Sequence, residues 1–285
     1  MGDDKRQAEK GRRFQELHQE TGAFVIPNPW DTGSARLLAL LGFKALASTS
    51  AGYAFTLGKC DGEVGRDAML AHLTELVAAT DLPVSADLEN GFGDEPETVA
   101  DTIRLAASTG LVGGSIEDAT GRPDDPIYSL GLAVERVRAA AEAASSLRFP
   151  FTLTARAENF LVGRKDLADT IVRLQAYQEA GADVLYAPGL TSSDDIRRVV
   201  ASVDRPVNVV MGLTGLRLSV ADLSALGVRR ISVGGSFARA ALGGLLRAAR
   251  EVKERGTFTY SDDAVSSREI TDLLRAARSL PGSPQ

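Results

Sequence analysis

The sequence predicts a (β/α)₈ barrel, on three observations. Short apolar, β-branched runs alternate with helical patterns from one end of the chain to the other. Eight such units follow in order, which implies parallel strand pairing. The strands themselves are apolar throughout, as expected when both faces of a sheet are covered. An open doubly wound sheet is the alternative, but no strand leads into a GxGxxG turn.

The units run as follows. Phe24–Asn28 reads as the first strand and Ser34–Leu41 as its helix. Lys44–Ser50 precedes the helix Arg66–Thr80, Pro83–Glu89 precedes Glu97–Ser108, and Gly114–Asp118 precedes Leu130–Ser145. Phe151–Asn159 is followed by Leu167–Ala180, and Asp183–Pro188 by Asp194–Val203. Pro206–Met211 with Val220–Leu226, and Arg230–Gly234 with Ala238–Arg255, complete the set.

The 285 residues form one domain in this reading, with a helix inside residues 1–20 and a C-terminal extension over 257–285. Asp3–Gln19 is expected to cap the barrel bottom. In Ser266–Ser279 the apolar residues Ile270, Leu273, Leu274 and Ala277 have helical spacing, and such a face needs a surface to cover it, such as a neighbouring subunit. Pro281–Gln285 reads as a frayed tail.

A net charge of −6, with no basic run beyond Lys5–Arg13, argues against nucleic acid or an anionic membrane as partner. One cysteine, Cys60, excludes an intramolecular disulfide and a cysteine zinc site, and is expected to be a small buried residue. The charged N-terminus is no signal peptide and no stretch is long enough to span a bilayer, so a cytoplasmic protein is expected. The two histidines, His18 and His72, fall in predicted helices, which leaves no histidine base.

Barrels of this kind place their chemistry at the C-terminal strand ends. Strand 2 delivers Ser48, Thr49 and Ser50 there, with Asp61 in its loop. Strand 3 delivers Asp87, Glu89, Asn90 and Gly91, strand 4 Glu117 and Asp118, and strand 5 Arg156 and Glu158. Asp87 and Glu89, two apart on a strand, are expected to point to one side. Converging carboxylates repel unless neutralised, and their oxygens suit a hard cation such as Mg²⁺. Asp87, Glu89 and Glu117 are therefore the candidate metal ligands, and Arg156 offers a fixed fork for a carboxylate or developing oxyanion. Asp61, Glu117 and Arg156 are the candidate catalytic groups. Ser48, Thr49, Ser50, Arg156, Asn90 and Gly91 are the candidate substrate contacts. Tyr128, in the loop after strand 4, is a candidate proton carrier. Capping and salt bridging are the plainer roles for any single carboxylate, as tight packing is for Gly234 and Gly235.

The motifs point one way together. Ile26-Pro27-Asn28-Pro29-Trp30-Asp31, Ser48-Thr49-Ser50-Ala51-Gly52, Leu57-Gly58-Lys59-Cys60-Asp61, Asp87-Leu88-Glu89-Asn90-Gly91-Phe92-Gly93, Ile116-Glu117-Asp118 and Ala155-Arg156-Ala157-Glu158 occur in order on successive strands. In this the chain resembles the isocitrate lyase/phosphoenolpyruvate mutase superfamily from Phe24 to Glu254. The resemblance implies a helix-swapped barrel, a homotetramer built as a dimer of dimers, and Mg²⁺ (or Mn²⁺) held largely through water. It further implies a small oxo- or hydroxy-carboxylate substrate and an enolate-like intermediate. Three segments depart from the pattern. Asp118–Pro126 has neither Cys nor His where isocitrate-type lyases carry a Lys-Lys/Arg-Cys-Gly-His loop, and strand 6 ends in Ala187-Pro188-Gly189 where the phosphonate enzymes carry a histidine. The Asn of strand 7 stands early, at Asn208, with Val210 in its place. A carbon–carbon lyase or decarboxylase is the leading expectation. A phosphonopyruvate-type C–P hydrolase or mutase, with Arg122 as its candidate cation, and a keto-acid-binding protein without turnover are the rivals.

Overall fold

The computed structural model describes residues 3–213 and 215–280; the expected tail, Pro281–Gln285, lies outside them. The elements are α1 (Asp3–Gln19), β1 (Phe24–Ile26), α2 (Thr32–Leu40), β2 (Leu46–Ala47), α3 (Ser50–Thr56), α4 (Arg66–Ala78), β3 (Val84–Asp87), α5 (Pro96–Ser108), β4 (Gly113–Glu117), α6 (Leu130–Ser145), β5 (Thr152–Arg156) and α7 (Leu167–Glu179). Then come β6 (Val184–Tyr186), α8 (Ser193–Ala201), β7 (Val207–Val210), α9 (Val220–Ala225), β8 (Arg230–Ser232), α10 (Ser236–Arg255), a 3₁₀ turn at Thr259–Asp262, and α11 (Ser267–Arg278). All eight predicted strands are present and pair in parallel in the order β1-β8-β7-β6-β5-β4-β3-β2.

The remaining seam, between β1 and β2, is closed by other means. The Ala47 amide donates to the Pro27 carbonyl at 3.0 Å. Asn28 Nδ2 donates to the Ser48 carbonyl at 2.8 Å, while its Oδ1 accepts from the amides of Val233 and Gly234 at 2.9 Å each. One buried side chain thus ties β8 across β1 to the turn after β2. The result is a (β/α)₈ barrel.

Most helices start where a short polar side chain can satisfy the first free amides. Asp31 accepts from Ser34 in a capping box, and Ser129, Asp166, Ser192 and Ser266 cap α6, α7, α8 and α11. The sequence reading missed α3. Its seven residues are short for a periodic signal, and Thr49 initiates it by accepting from the Gly52 amide. A Cβ at Gly52 would lie 2.5 Å from Thr49 Cγ2, so only glycine lets this turn close on itself.

Alanine, leucine and valine fill the layer between strands and helices. Below it, Phe14 and Leu17 of α1 pack with Ile26, Ala45 and Val112, so the N-terminal helix stoppers the barrel as expected. α11 rests its half-buried Leu273 and Leu274 and its buried Ala277 on the α2 side of the same chain. The larger uncovered apolar face belongs to α10: Leu245 is 63% exposed, Leu246 50%, and Ala238 is the one buried residue of the helix. Cys60 is exposed rather than buried, because its loop is pinned at the surface by Glu63 accepting from the Cys60 amide. Among the described residues no helix is long and apolar enough to cross a membrane.

Candidate active site

A cavity of about 480 Å³ opens at the C-terminal end of the strands. Ser48, Thr49, Ser50, Asp61, Asp87, Glu89, Glu117 and Arg156 all line it. The barrel geometry explains this convergence: β3, β4 and β5 are adjacent, with Glu117 directly paired to Arg156 in the ladder.

Arg156 is the hub. Its Nε donates to Glu158 Oε1 at 2.7 Å, and its two terminal nitrogens reach Asp87 Oδ1 and Glu117 Oε2, each at 3.0 Å. Its guanidinium also lies 5.2 Å from the Tyr186 ring centre. Glu158 is 3% exposed and so fixes the arginine fork from below. Five carboxylates (Asp61, Asp87, Glu89, Glu117 and Glu158) crowd this one guanidinium. Burial raises the pKa of Glu117 well above normal, opposed by Arg156 and reinforced by Glu158 and Asp87. Burial, followed by the charge of Asp87, raises Asp61 and lifts Glu89 to about 7. The Ser50 hydroxyl stands 2.9 Å from both Asp61 Oδ1 and Asp87 Oδ2. One O–H donates once, so both contacts are satisfied when Asp61 carries a proton, in line with its raised pKa.

Glu89 reaches the cavity by a different route from the expected strand alternation. β3 stops at Asp87, and Glu89 takes a left-handed backbone, φ 49°, in the turn that follows. Such a conformation costs a non-glycine residue about 1–3 kcal/mol. It is held by the Gly91 amide donating to Leu88 O at 2.8 Å and the Glu117 amide donating to Glu89 O at 3.0 Å.

Asn90 and Gly91 are not brought to the cavity. Asn90 accepts from the Phe92 amide at 3.0 Å and donates to the Tyr128 hydroxyl at 3.3 Å, away from Arg156. Gly91, at φ 80°, makes the turn and packs against Val99. Tyr128 lies outside the cavity as well. Its hydroxyl donates to Asp94 Oδ1 at 2.5 Å, and Arg136 stacks 4.0 Å from its ring centre, so it secures the loop rather than facing a substrate. Arg122 pairs with Asp94 at 2.8 Å and does not line the cavity. Asp118 is buried beneath the site, taking Arg173 at 3.1 Å, the Tyr177 hydroxyl and the Glu158 amide. Its role is to hold β4 to α7 and β5.

In the Ser48–Ser50 turn the Ser48 amide is committed to Ser85 O, and the Ser50 amide to Asp87 Oδ2 at 3.3 Å. Thr49 has the remaining amide. The Ser48 hydroxyl accepts from the Asp87 amide at 2.9 Å and keeps its own proton to give.

Among the described residues no three Asp, Glu, His or Cys side chains converge closely enough to ligate a bare ion. Arg156 occupies the centre between Asp87 and Glu117, which accounts for the spacing. Even so, the donors fit a hydrated hard cation. Glu89 Oε1 is buried without a hydrogen-bond partner, every available ligand atom is oxygen, and the five carboxylates of the lining outnumber its three arginines.

Sequence reasoning named Asn28 and Asn208 only within the family pattern, without a site role, and missed Tyr186, Arg230 and Arg239; all five line the cavity. The available signal was two-residue periodicity, which puts Ile26 with Asn28 and Arg230 with Ser232 on the inner face. Attention to charged strand ends passed over the uncharged Asn28 and Tyr186 at the ends of β1 and β6, and over Asn208 and Arg230 near the starts of β7 and β8.

The model of a family described as phosphoenolpyruvate phosphomutase matches residues 14–253. A crystal structure from Burkholderia cenocepacia J2315, provisionally described as a lyase/mutase, superposes with TM-score 0.92 at 63% identity over 94% of this chain and 96% of that one. A second structure from the same organism, provisionally a phosphonomutase, gives TM-score 0.79 at 35% identity over 86% and 99%. The 2-methylisocitrate lyase of Escherichia coli K12 is 29% identical over 69% of this chain and 68% of its own.

Proposed function

The chain belongs to the phosphoenolpyruvate phosphomutase family, within the isocitrate lyase/phosphoenolpyruvate mutase superfamily, and from that premise we propose that it is a magnesium-dependent carbon–carbon lyase or decarboxylase acting on a small 2-oxo or 2-hydroxy carboxylic acid. The observation that carries this reading is Arg156, gripped by three carboxylates inside a cavity whose facing wall is the Ser48–Ser50 turn.

In the proposed mechanism the substrate's C1 carboxylate sits on the Ser48 hydroxyl and the Thr49 amide. Asp87, Glu89 and Glu117 would hold the cation, largely through its waters, with Asp61 behind them. When bound, the ion supplies Lewis acidity toward the acid's C2 oxygen; manganese would serve in place of magnesium. Arg156 is aimed at the oxygen on which negative charge grows as the carbon–carbon bond breaks and its electron pair becomes an enolate. Glu158 and Asp87 lock the guanidinium in place beforehand, so little reorganisation is needed when that charge appears. Protons are taken up and returned within the cavity by Asp61, whose carboxyl burial has raised, in place of the cysteine loop of the isocitrate-type lyases. The assembly proposed is a homotetramer, with α10 covered by a second copy.

A panel of oxaloacetate, 2-methyl-branched malates and phosphonopyruvate, each with and without Mg²⁺, tests the reading. Pyruvate released from a four-carbon or larger acid, only with the metal, is the expected result. Phosphate released from phosphonopyruvate instead would move the protein to C–P chemistry, and tight binding of an acid without product would make it a binding protein.

A further inference from the structure

Across the barrel from β4, β8 opens with Arg230, a charged residue turned inward and only 6% exposed. Its Nε donates to Asn208 Oδ1 and a terminal nitrogen donates to Thr154 Oγ1, both at 2.9 Å. The other terminal nitrogen stands 3.5 Å from His18 Nε2. The histidine tautomer follows from its second contact. Nδ1 lies 2.8 Å from the Phe14 carbonyl, which can only accept, so Nδ1 carries the proton and Nε2 presents a lone pair to the arginine. Burial drives the His18 pKa down to about 3, which keeps the ring neutral.

All three partners of Arg230 are therefore uncharged, and among the described residues it forms no ion pair. Of the other little-exposed arginines, two have counter-charges and one, Arg136, has three carbonyl oxygens instead. Arg156 has three carboxylates, Arg173 has Asp118 and Asp169, and Arg136 is capped by the carbonyls of Asn90, Gly93 and Asp94. A guanidinium cannot shed its charge in a protein, and a buried charge without a counter-charge is costly. Burial, opposed only by Tyr186, brings Arg230 down to about 10.

The space beside it is unusual too. Barrels of this type are normally plugged by layers of branched apolar side chains. Here Ser85, Ser115, Asn208 and Ser232 occupy inner positions and line, with Arg230, the same cavity that opens at Arg156. The barrel is hollow and hydroxyl-lined where a plug would stand, and two of the five guanidinium N–H groups have no protein acceptor.

We propose that Arg230 forms an anion subsite on the floor of the cavity, distinct from the carboxylate–arginine cluster at the mouth. Its ligand is a small anion, either a free halide-sized ion or the carboxylate end of a small organic acid reaching down the barrel. Asn208, Thr154 and His18 position the guanidinium from behind and leave its remaining donors facing the cavity. Occupancy does not require turnover, so the subsite stands or falls apart from the lyase reading.

Crystals of the full-length protein soaked in sodium bromide test this directly. Anomalous density in contact with the Arg230 guanidinium is expected. Bromide found only elsewhere on the molecule overturns the proposal. In solution, the melting temperature should climb with sodium bromide or sodium formate relative to sodium gluconate at equal ionic strength, since gluconate is too bulky for the floor. Arg230→Met should abolish that difference, and identical melting of the wild type in bromide and gluconate counts against the site even if the variant does not fold. Malonate titrated into bromide-soaked crystals separates the two sources. Loss of bromide from Arg230 identifies an organic acid's carboxylate as the occupant, and retention identifies an independent inorganic anion.

Discussion

Replacing Glu89 with glutamine should make the metal-free protein more stable while destroying its function. The ionised carboxyl stands against Asp87 and Asp61 in a partly buried wall, and its pKa rises from 4.5 to about 7. Between those values the folded chain holds a proton that the unfolded chain has already lost. Stability therefore falls as the pH climbs through that window and levels off above about 7. Each pH unit of displacement is worth about 1.4 kcal/mol, so full burial would cost about 3 kcal/mol. Glu89 is only half-buried, and screening by solvent reduces the realised penalty to about 1–2 kcal/mol. Glu89→Gln removes the charge and keeps the shape. Urea unfolding in EDTA should show wild type and variant matched near pH 4.5 and the variant ahead by that amount at pH 8. Added Mg²⁺ should raise the wild type at pH 8 and leave the variant nearly unmoved. A variant no more stable than wild type at pH 8 without metal would refute the argument that uncompensated charge is stored at this position.

Arg156→Ala should lower kcat by roughly 10²–10³-fold or more, the scale of a lost oxyanion donor. Contrary to a purely surface role, it should also destabilise by about 3–5 kcal/mol, because Asp87, Glu117 and Glu158 lose their partner. That loss should shrink in melts at lower pH as the carboxyls take up protons. Asn28→Ala strands the Ser48 carbonyl and two amides of the β8 loop, at about 1–3 kcal/mol for each group left unsatisfied. KM should suffer more than kcat, since the Ser48–Ser50 turn loses its tether. Tyr128→Phe should cost about 1 kcal/mol of stability and leave the pH profile of kcat unchanged, as befits a hydroxyl bonded to Asp94. Leu245→Glu on the uncovered face of α10 should convert the proposed tetramer to smaller species by light scattering.

The barrel was legible because strand and helix periodicities are local and repeat eight times. The carboxylate wall was legible because adjacent parallel strands must deliver their ends to one place, so Asp87, Glu117 and Arg156 needed no knowledge of side-chain conformation. What escaped notice depends on backbone twists and long reach. The turn after β3 sends Glu89 inward through a left-handed φ while the same turn sends Asn90 outward to Tyr128, and nothing in Glu89-Asn90-Gly91 distinguishes those two fates. Asn28 and Arg230 act at the seam and the floor, through contacts with residues about 20 to 210 positions away. Their inward facing was implicit in the two-residue strand period, but their importance lies in what surrounds them. Asn28 matters because β1 and β2 do not pair along a ladder, and Arg230 matters because among the described residues no acid pairs with it. An absent neighbour leaves no mark on local sequence. Function in this barrel is therefore written most plainly where charges are in excess and least plainly where one charge stands alone.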